Sequence, residues 1–151
     1  MYMKKLLILL IPLFIMCSCS KSVDATDLTA LKSRLPEVGE NKNFIKLSVG
    51  EALNYFNFKE EDIEEYLIYI SRDGAIADEV VIIKAVNNEA ASRVFNALRD
   101  RFEEKKNSFQ NYVPAEYDKI CRSRVEQSGL YCYYAISDIQ DSYEAVFNMA
   151  F

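Results

Sequence analysis

Cysteine thiols are the most reactive side chains in this chain, and its four cysteines fall into two pairs. Cys17 and Cys19 follow directly on an apolar run, residues 6–16, that begins after Lys4 and Lys5. A cationic start, a short apolar core and small residues around a cleavage point are typical of a secretory signal. A cysteine at the cleavage point predicts that the exported chain is modified by lipid on that thiol.

Cys19 is the better lipid acceptor of the first pair, because Ser18 before it is small whereas Cys17 follows the bulky Met16. We expect residues 1–18 to be a lipoprotein signal peptide and residues 19–26 to be a short lipidated tether. The diacylglyceryl group expected on Cys19 has two acyl chains, which hold a protein on a bilayer where one chain binds only reversibly. The alternative is an ordinary secretory peptide that releases a soluble exported protein.

The apolar run is too short to stay in the membrane as a helix. It covers 11 residues, whereas a spanning helix needs about 20. Pro12 inside the run also disfavours a permanent membrane helix. The segment is therefore expected to be recognised, threaded and removed.

The charge balance restricts the partners of the folded part. The chain has 18 basic and 23 acidic residues, and loss of Lys4 and Lys5 with the signal makes the remainder more acidic. An acidic domain is repelled by nucleic acid and by anionic lipid head groups. We therefore expect no nucleic-acid partner.

The absence of histidine from the sequence restricts the chemistry. Histidine is the commonest general base near neutral pH and the commonest nitrogen ligand of zinc. Serine or cysteine nucleophiles activated by histidine are excluded. We expect a protein that is not an enzyme and that has no cofactor and no metal site.

Acidic residues occur in two clusters. The run at residues 59–65 lacks the alternating ligands and turn glycine of a calcium loop, so a solvated helical turn is expected. Asp73 suits a turn beside Gly74, and Asp78 and Glu79 are expected to cap elements or to pair with Lys84. A divalent cation held by these three loop acids is the alternative.

Cys121 and Cys132 form the second pair of thiols. An extracellular address favours a disulfide, but in the hairpin predicted below the two residues share a face and lie diagonally. That geometry favours two buried, reduced thiols. A register shift of two residues would place them opposite each other, so both states stay open.

Hydrophobic periodicity predicts the elements that position these residues. Apolar side chains at helical spacing indicate a short helix over residues 27–35, and a Ser48–Glu51 capping box begins a second helix that ends near Phe56. Strands are predicted over residues 66–71 and 79–86, a long helix over 87–109, and a last helix from about Asp138.

A second hairpin is predicted from residues 119–126 and 130–137, with Val125 opposite Leu130. Alternation along it gives one apolar face and one polar, aromatic face. The second face carries the candidate binding surface: Arg122, Arg124, Tyr131 and Tyr133. Tyrosine and arginine are enriched where proteins bind partners, and cross-strand packing on a solvated sheet is the alternative.

The order of elements predicts a single α+β domain over residues 27–151. Antiparallel hairpins separated by a long helix favour an antiparallel sheet of two β-hairpins with helices packed mainly on one face.

Three short stretches occur in a characteristic order: GAIADE at residues 74–79, IKA at 83–85 and FQNYVPAE at 109–116. Together with the leader they resemble a bacterial lipoprotein family, domain of unknown function 4358. The resemblance implies a lipid-anchored protein on the outer face of the cell membrane, in a Gram-positive bacterium. It implies no activity, ligand or catalytic residue.

The sequence therefore predicts a membrane-anchored, extracytoplasmic binding or protein-interaction module at the cell envelope, without catalysis. Its partners would be the lipid bilayer, through the N-terminal cysteine, and an envelope protein or a wall polymer. The alternative is a carboxylate-based hydrolase of cell-wall glycan, which needs two acids about 5–10 Å apart in a cleft.

Overall fold

The computed structural model describes residues 28–35 and 43–151. The predicted signal, the tether and Cys19 lie outside the described residues. In chain order the elements are α1 (Leu28–Lys32), β1 (Phe44–Lys46), α2 (Val49–Phe56), a 3-10 turn (Glu60–Asp62), β2 (Ile63–Ser71), β3 (Glu79–Ala85), α3 (Asn88–Phe109), α4 (Pro114–Arg122), β4 (Glu126–Ser128), β5 (Tyr131–Ile136) and α5 (Gln140–Ala150).

The strands form one antiparallel sheet in the order β1-β2-β3-β5-β4. β3 lies at the centre, with Val81 opposite Ile68 of β2 and Ile83 opposite Cys132 of β5. The four consecutive apolar residues of β3, Val80 to Ile83, are fully buried, because helices cover both faces of the sheet at this strand. The α+β class and the antiparallel sheet are confirmed.

Two apolar cores lie on opposite faces of the sheet. On one face α2, α3 and α4 pack over the side chains that include Val81, Ile83 and Tyr134. On the other face α1 and α5 pack over those that include Tyr69, Ile82 and Tyr133. Most helical residues do lie on one face of the sheet. The expectation that the opposite face is open to solvent is wrong, because α1 and α5 cover it.

Two of the predicted helices, α2 and α3, are confirmed and begin at side-chain caps. Ser48 Oγ accepts a hydrogen bond from the Glu51 N–H, and Glu51 Oε2 accepts one from the Ser48 N–H at 2.7 Å. The side-chain and backbone hydrogen bonds from Ser48 lower the pKa of Glu51. At the start of α3, Asn87 Oδ1 accepts from the Ala90 N–H at 2.8 Å. None of the helices in the described ranges combines the length and apolar character needed to cross a bilayer.

The prediction that residues 119–126 form the first strand of the second hairpin is wrong. Residues 114–122 form α4 instead, with Pro114 in its first turn, a position that proline favours. Glu116, Lys119 and Ile120 are its buried residues, and their spacing is that of one helical face. The alternation at residues 119–126 was too short to distinguish a strand from this helix end.

The turn and the register of the hairpin also differ from the prediction. The short strand β4 places Gln127 opposite Cys132, rather than Val125 opposite Leu130. The chain turns at Gly129, which has a φ of 56°, and Leu130. A left-handed φ at the turn suits glycine, which has no Cβ to clash.

Two further differences concern the other edge of the sheet. β1 was not predicted, because its three residues are too few to show a period. The acidic run at residues 59–65 does not form a helical turn throughout: it begins with the 3-10 turn and then enters β2 at Ile63.

Candidate functional site

The connection between β2 and β3, residues 72–78, lies between two clefts at one end of the sheet. The larger cleft, here the lysine cleft, has a volume of about 420 Å³ and is lined by residues that include Asp78, Glu116, Lys119 and Asp138. The smaller, the arginine cleft, has a volume of about 150 Å³ and is lined by residues that include Arg101 and Lys105. Ser71, Asp73 and Ile76 line both.

Lys119 is the centre of the lysine cleft. Its side chain is 4% exposed, and its Nζ lies 2.7 Å from Asp78 Oδ1, 3.0 Å from Glu116 Oε2 and 3.4 Å from Asp138 Oδ1. Burial acts to lower the pKa of Lys119, but the hydrogen bonds to Asp78 and Glu116 outweigh it and raise the pKa. The ammonium group therefore stays charged and organises three carboxylates that belong to different elements.

These carboxylates come from three parts of the chain. Glu116 is one turn before Lys119 on α4, Asp78 directly precedes β3, and Asp138 follows β5. Glu116 Oε2 also accepts a hydrogen bond from the Ala77 N–H at 2.7 Å. The connection at residues 72–78 is thereby fastened to α4, and only Asp138, at 81% exposure, extends into solvent.

A buried charge cluster lies behind the arginine cleft. Glu79 is fully buried, and its Oε2 lies 2.5 Å from Lys105 Nζ. Tyr134 donates its hydroxyl hydrogen to Glu79 Oε1. Burial, followed by the charge of Glu79, raises the pKa of Tyr134 well above its usual value, so the tyrosine remains a hydrogen-bond donor.

Arg101 and Tyr55 cover this cluster. The guanidinium carbon of Arg101 lies 4.1 Å from the centre of the Tyr55 ring, and its Nη2 donates to the Tyr55 hydroxyl oxygen. Burial and the charge of Glu79 raise the pKa of Tyr55. The same two residues also line a groove of about 410 Å³ between α2 and α3, here the interhelix groove.

The acids around the β2–β3 connection have other partners than expected. Asp78 pairs with Lys119 and Glu79 with Lys105, so the predicted pairing with Lys84 is wrong. Lys84 lies opposite Glu65 in the sheet and pairs with Glu64 at 2.7 Å. The expected turn role of Asp73 is confirmed, because its Oδ1 accepts from the Ala75 N–H at 2.9 Å.

The predicted binding surface does not form. Tyr131 and Tyr133 are 4% and 6% exposed, because α5 and the chain end cover them: the Tyr133 ring lies 4.8 Å from that of Phe147. Burial raises the pKa of Tyr133. Arg122 is exposed on α4, and the exposed Arg124 pairs with Glu126 at 2.9 Å. The four residues belong to a core and to separate surface positions.

The two described cysteines are unbridged, one exposed and one buried. Cys132 on β5 donates to the Ala91 carbonyl oxygen at 3.3 Å, and burial raises its pKa to about 12. Cys121 is exposed on α4, so the expectation of a buried thiol is wrong there. A hydrogen bond with Cys121 raises the pKa of Tyr117.

Sequence reasoning missed Arg101 and Lys105, although one signal was available. Lys105 continues the apolar stripe of α3 that includes Leu98, Phe102 and Phe109. A lysine at a core position of an amphipathic helix requires a buried anionic partner. Lys119 was missed as a site residue because its segment was assigned to a strand.

One comparison with known proteins identifies a family. The family model described as Domain of unknown function (DUF4358) matches residues 37–137, about two-thirds of the chain. The chain belongs to this family. The matched segment contains Glu79, Arg101, Lys105 and Lys119. No curated protein and no solved structure matches the chain.

Proposed function

We propose that this protein is a membrane-anchored, extracytoplasmic lipoprotein that acts as a non-catalytic binding or protein-interaction module at the cell envelope. The signal pattern before Cys19 supports the address. The observation that carries the binding role is the lysine cleft, where one buried ammonium organises three carboxylates. The volume of the lysine cleft, about 420 Å³, falls within the range of about 300–1,000 Å³ that is typical of ligand pockets.

The contacts in the cleft favour recognition over catalysis. Glu116 is engaged by both Lys119 and the Ala77 N–H, and Asp78 is engaged by Lys119. Groups held in this way present fixed charges and acceptors to a partner, and preorganisation reduces the free-energy cost of binding. The apolar side chains of Ile76 and Ile139 at the same cleft would contact the remainder of the partner. The partner we propose is another envelope protein or a wall polymer.

The anchor is tested by lipid analysis. The full chain is produced in a Gram-positive host, and the mature N-terminus is examined by intact-mass spectrometry and cell fractionation. We expect wild type to carry a diacylglyceryl group and to remain with the membrane, and Cys19→Ser to lose both properties. Cys17→Ser is the matched control and should behave as wild type. An unmodified wild-type N-terminus would contradict the anchor.

The binding role is tested by site-specific photocrosslinking on intact cells. A photoreactive residue replaces Ile76, which lines the lysine cleft and is 37% exposed, or Met149 on α5, which is 73% exposed and does not line it. We expect a discrete adduct from position 76 alone, reduced when Lys119→Met is added. Because Ile76 also lines the arginine cleft, an adduct at position 76 that Lys119→Met leaves unchanged would contradict a partner at the lysine cleft. Equal adducts from both positions, or none from either, would contradict it as well.

One observation favours a carboxylate-based hydrolase of wall glycan as a second candidate: Asp73, Asp78, Glu116 and Asp138 all line the same cleft. Paired acids in an open cleft are the arrangement that glycoside hydrolysis requires. Incubation with purified wall glycan, followed by measurement of new reducing ends, separates the two candidates. The binding module releases none, whereas release that Asp138→Asn or Glu116→Gln abolishes would favour the hydrolase.

A further inference from the structure

We propose that Arg101 forms a second binding site, separate from the lysine cleft, and that this site takes a carboxylate group. Across the described parts of the chain, Arg101 Nε is the buried side-chain nitrogen without a hydrogen-bond partner. Buried polar atoms are nearly always paired, so an unpaired one calls for an explanation such as an absent ligand, ion or water.

Another arginine on the same helix shows what the missing partner would be. Arg93 lies about two turns before Arg101 on α3. Its Nε donates to Asp62 Oδ2 at 2.9 Å and its Nη2 to Asp62 Oδ1 at 2.5 Å, so a carboxylate fills the planar fork. The carboxylate that faces Arg101, that of Glu79, lies 3.7 Å from Nη2, outside hydrogen-bond distance. The Arg101 fork therefore lacks the two-point partner that Arg93 has.

The charges around Arg101 also favour an anion. The Glu79 carboxylate is matched by Lys105 at 2.5 Å, which leaves the guanidinium of Arg101 as a second cation beside a single buried acid. Asp73 lines the same cleft, but its Oδ1 holds the Ala75 N–H of its own turn. The Arg101 side chain is 20% exposed, and its ion pair with Glu79 is a distant one at 3.7 Å. A carboxylate ligand would give the guanidinium a closer, hydrogen-bonded partner.

The acids at the interhelix groove compete only weakly with a ligand carboxylate for the guanidinium of Arg101. Asp100 and Glu104 line the interhelix groove, and both are exposed. Water and salt screen exposed charges much more than buried ones. These two acids therefore cancel little of the charge at the buried side of Arg101.

The space on each side of Arg101 suits such a ligand. The arginine cleft of about 150 Å³ is large enough for a carboxylate group, and Lys105 lines it with further N–H donors. The Ser108 hydroxyl at the same cleft already donates to the Glu104 carbonyl oxygen at 2.9 Å. The interhelix groove of about 410 Å³ begins on the other side of the Tyr55–Arg101 pair and would hold the rest of a larger ligand. The carboxylate could belong to a small free acid or to a peptide C-terminus, and both would bind the fork at two points.

The test follows the side-chain Nε–Hε signal of Arg101 by NMR. The protein is the chain from residue 19 with Cys19→Ser, titrated with sodium acetate at constant ionic strength. We expect a saturable shift with acetate and none with acetamide, its uncharged analogue. Neither Arg101→Gln nor Arg101→Lys has this Nε–Hε group, so the backbone amides around position 101 report binding in both variants. We expect the saturable response to be lost in Arg101→Gln, and the affinity for acetate to fall at least tenfold in Arg101→Lys.

Matched controls separate this site from folding and from the lysine cleft. Arg99→Gln changes an exposed arginine of the same helix and should leave the response intact. Lys119→Met should leave it intact too, whatever the outcome for the lysine cleft. A linear shift, an equal shift with acetamide, or an unchanged response in Arg101→Gln would overturn the proposal, as would a bound water at Nε that acetate does not displace.

A tripeptide with a free C-terminus, compared with its C-terminal amide, separates the two sources of the carboxylate. Binding of the free acid at least tenfold tighter than acetate, with loss on amidation, assigns the site to peptide C-termini. Binding no tighter than acetate assigns it to small acids. No saturable response to either probe overturns the site.

Discussion

Lys105 Nζ on α3 lies 2.5 Å from Oε2 of Glu79, the first residue of β3, and both side chains are buried. This ion pair connects the longest helix to the central strand. Tyr134 donates to the other carboxylate oxygen of Glu79, so β5 is joined to the same group. The pair is therefore a point at which three elements of the fold depend on one carboxylate.

The first prediction concerns removal of this carboxylate's charge. Glu79→Gln leaves Lys105 buried without its anion, and we expect the free energy of unfolding to fall by about 3–5 kcal/mol. The double variant Glu79→Gln with Lys105→Met should recover part of this loss, because it removes the buried lysine charge and leaves the partly exposed Arg101 as the remaining cation. Urea denaturation measures both. Glu89→Gln, at an exposed position of α3, should change stability by less than about 0.5 kcal/mol. Equal losses in the single and double variants would show that the ion pair is not the cause.

The second prediction concerns the pH dependence contributed by Asp62. Its hydrogen bonds from Arg93 lower its pKa in the folded state. A lowered folded pKa means that the contribution is present above the unfolded pKa, about 3.9, and is lost as the pH falls through the folded value. The stability difference between wild type and Asp62→Asn should therefore be largest near neutral pH and shrink below about pH 4.

Urea unfolding of wild type and Asp62→Asn at pH 7, 5, 4 and 3 measures this dependence. Asp100→Asn, an exposed acid on the same helix as Arg93, is the control and should show little difference from wild type at any of these pH values. A difference for Asp62→Asn that is constant from pH 7 to pH 3 would contradict the prediction.

The third prediction compares the stability effects of substituting the buried Tyr133 and the exposed Arg124. Tyr133 packs against Phe147 and Phe151 with ring centres 4.8 and 4.9 Å away. We expect Tyr133→Ala to cost about 3 kcal/mol or more, because it leaves a cavity. Arg124→Ala, which removes an exposed ion pair with Glu126, should cost less than about 1 kcal/mol. Thermal unfolding of both variants decides between a buried tyrosine and an exposed binding residue, since an exposed tyrosine would give two similarly small effects.

The fourth prediction concerns the two thiols. Cys121 is exposed, whereas Cys132 is buried with a pKa of about 12. Because the thiolate is the reactive form, iodoacetamide at pH 8 should label the folded chain from residue 19 with Cys19→Ser at Cys121 alone, and at both Cys121 and Cys132 after denaturation. Peptide mapping by mass spectrometry locates the labels, and Cys121→Ser should abolish native labelling. Failure to label either thiol in denaturant until a reductant is added would indicate a disulfide.

Local chemistry made several elements predictable. The Ser48–Glu51 capping box defines the start of α2 through bonds between neighbouring residues, and the apolar stripe of α3 repeats over many turns. Such signals depend on residues close in sequence, so they can be recognised without knowledge of the fold. The strand at residues 79–85 was recognisable because its apolar run is continuous.

The faces of the sheet were not predictable in the same way. The alternation at residues 130–137 correctly placed Tyr131 and Tyr133 on the same face of β5. Both faces of β5 are covered, so alternation could not show that neither face is exposed to solvent. The decision was made by α5, whose Phe147 lies over Tyr133. The packing of a terminal helix against a strand is a long-range relationship that periodicity does not contain.

The sequence alone determined the α+β class, the antiparallel strands and the family resemblance, because composition, periodicity and short motifs are local properties. Only the tertiary structure decided which charges meet. Lys119 gathers acids from α4, the β2–β3 connection and the end of β5, and Lys105 reaches Glu79 across 26 residues of chain. Ion pairs of this kind form where elements distant in sequence pack together, and burial then makes each unmatched charge costly.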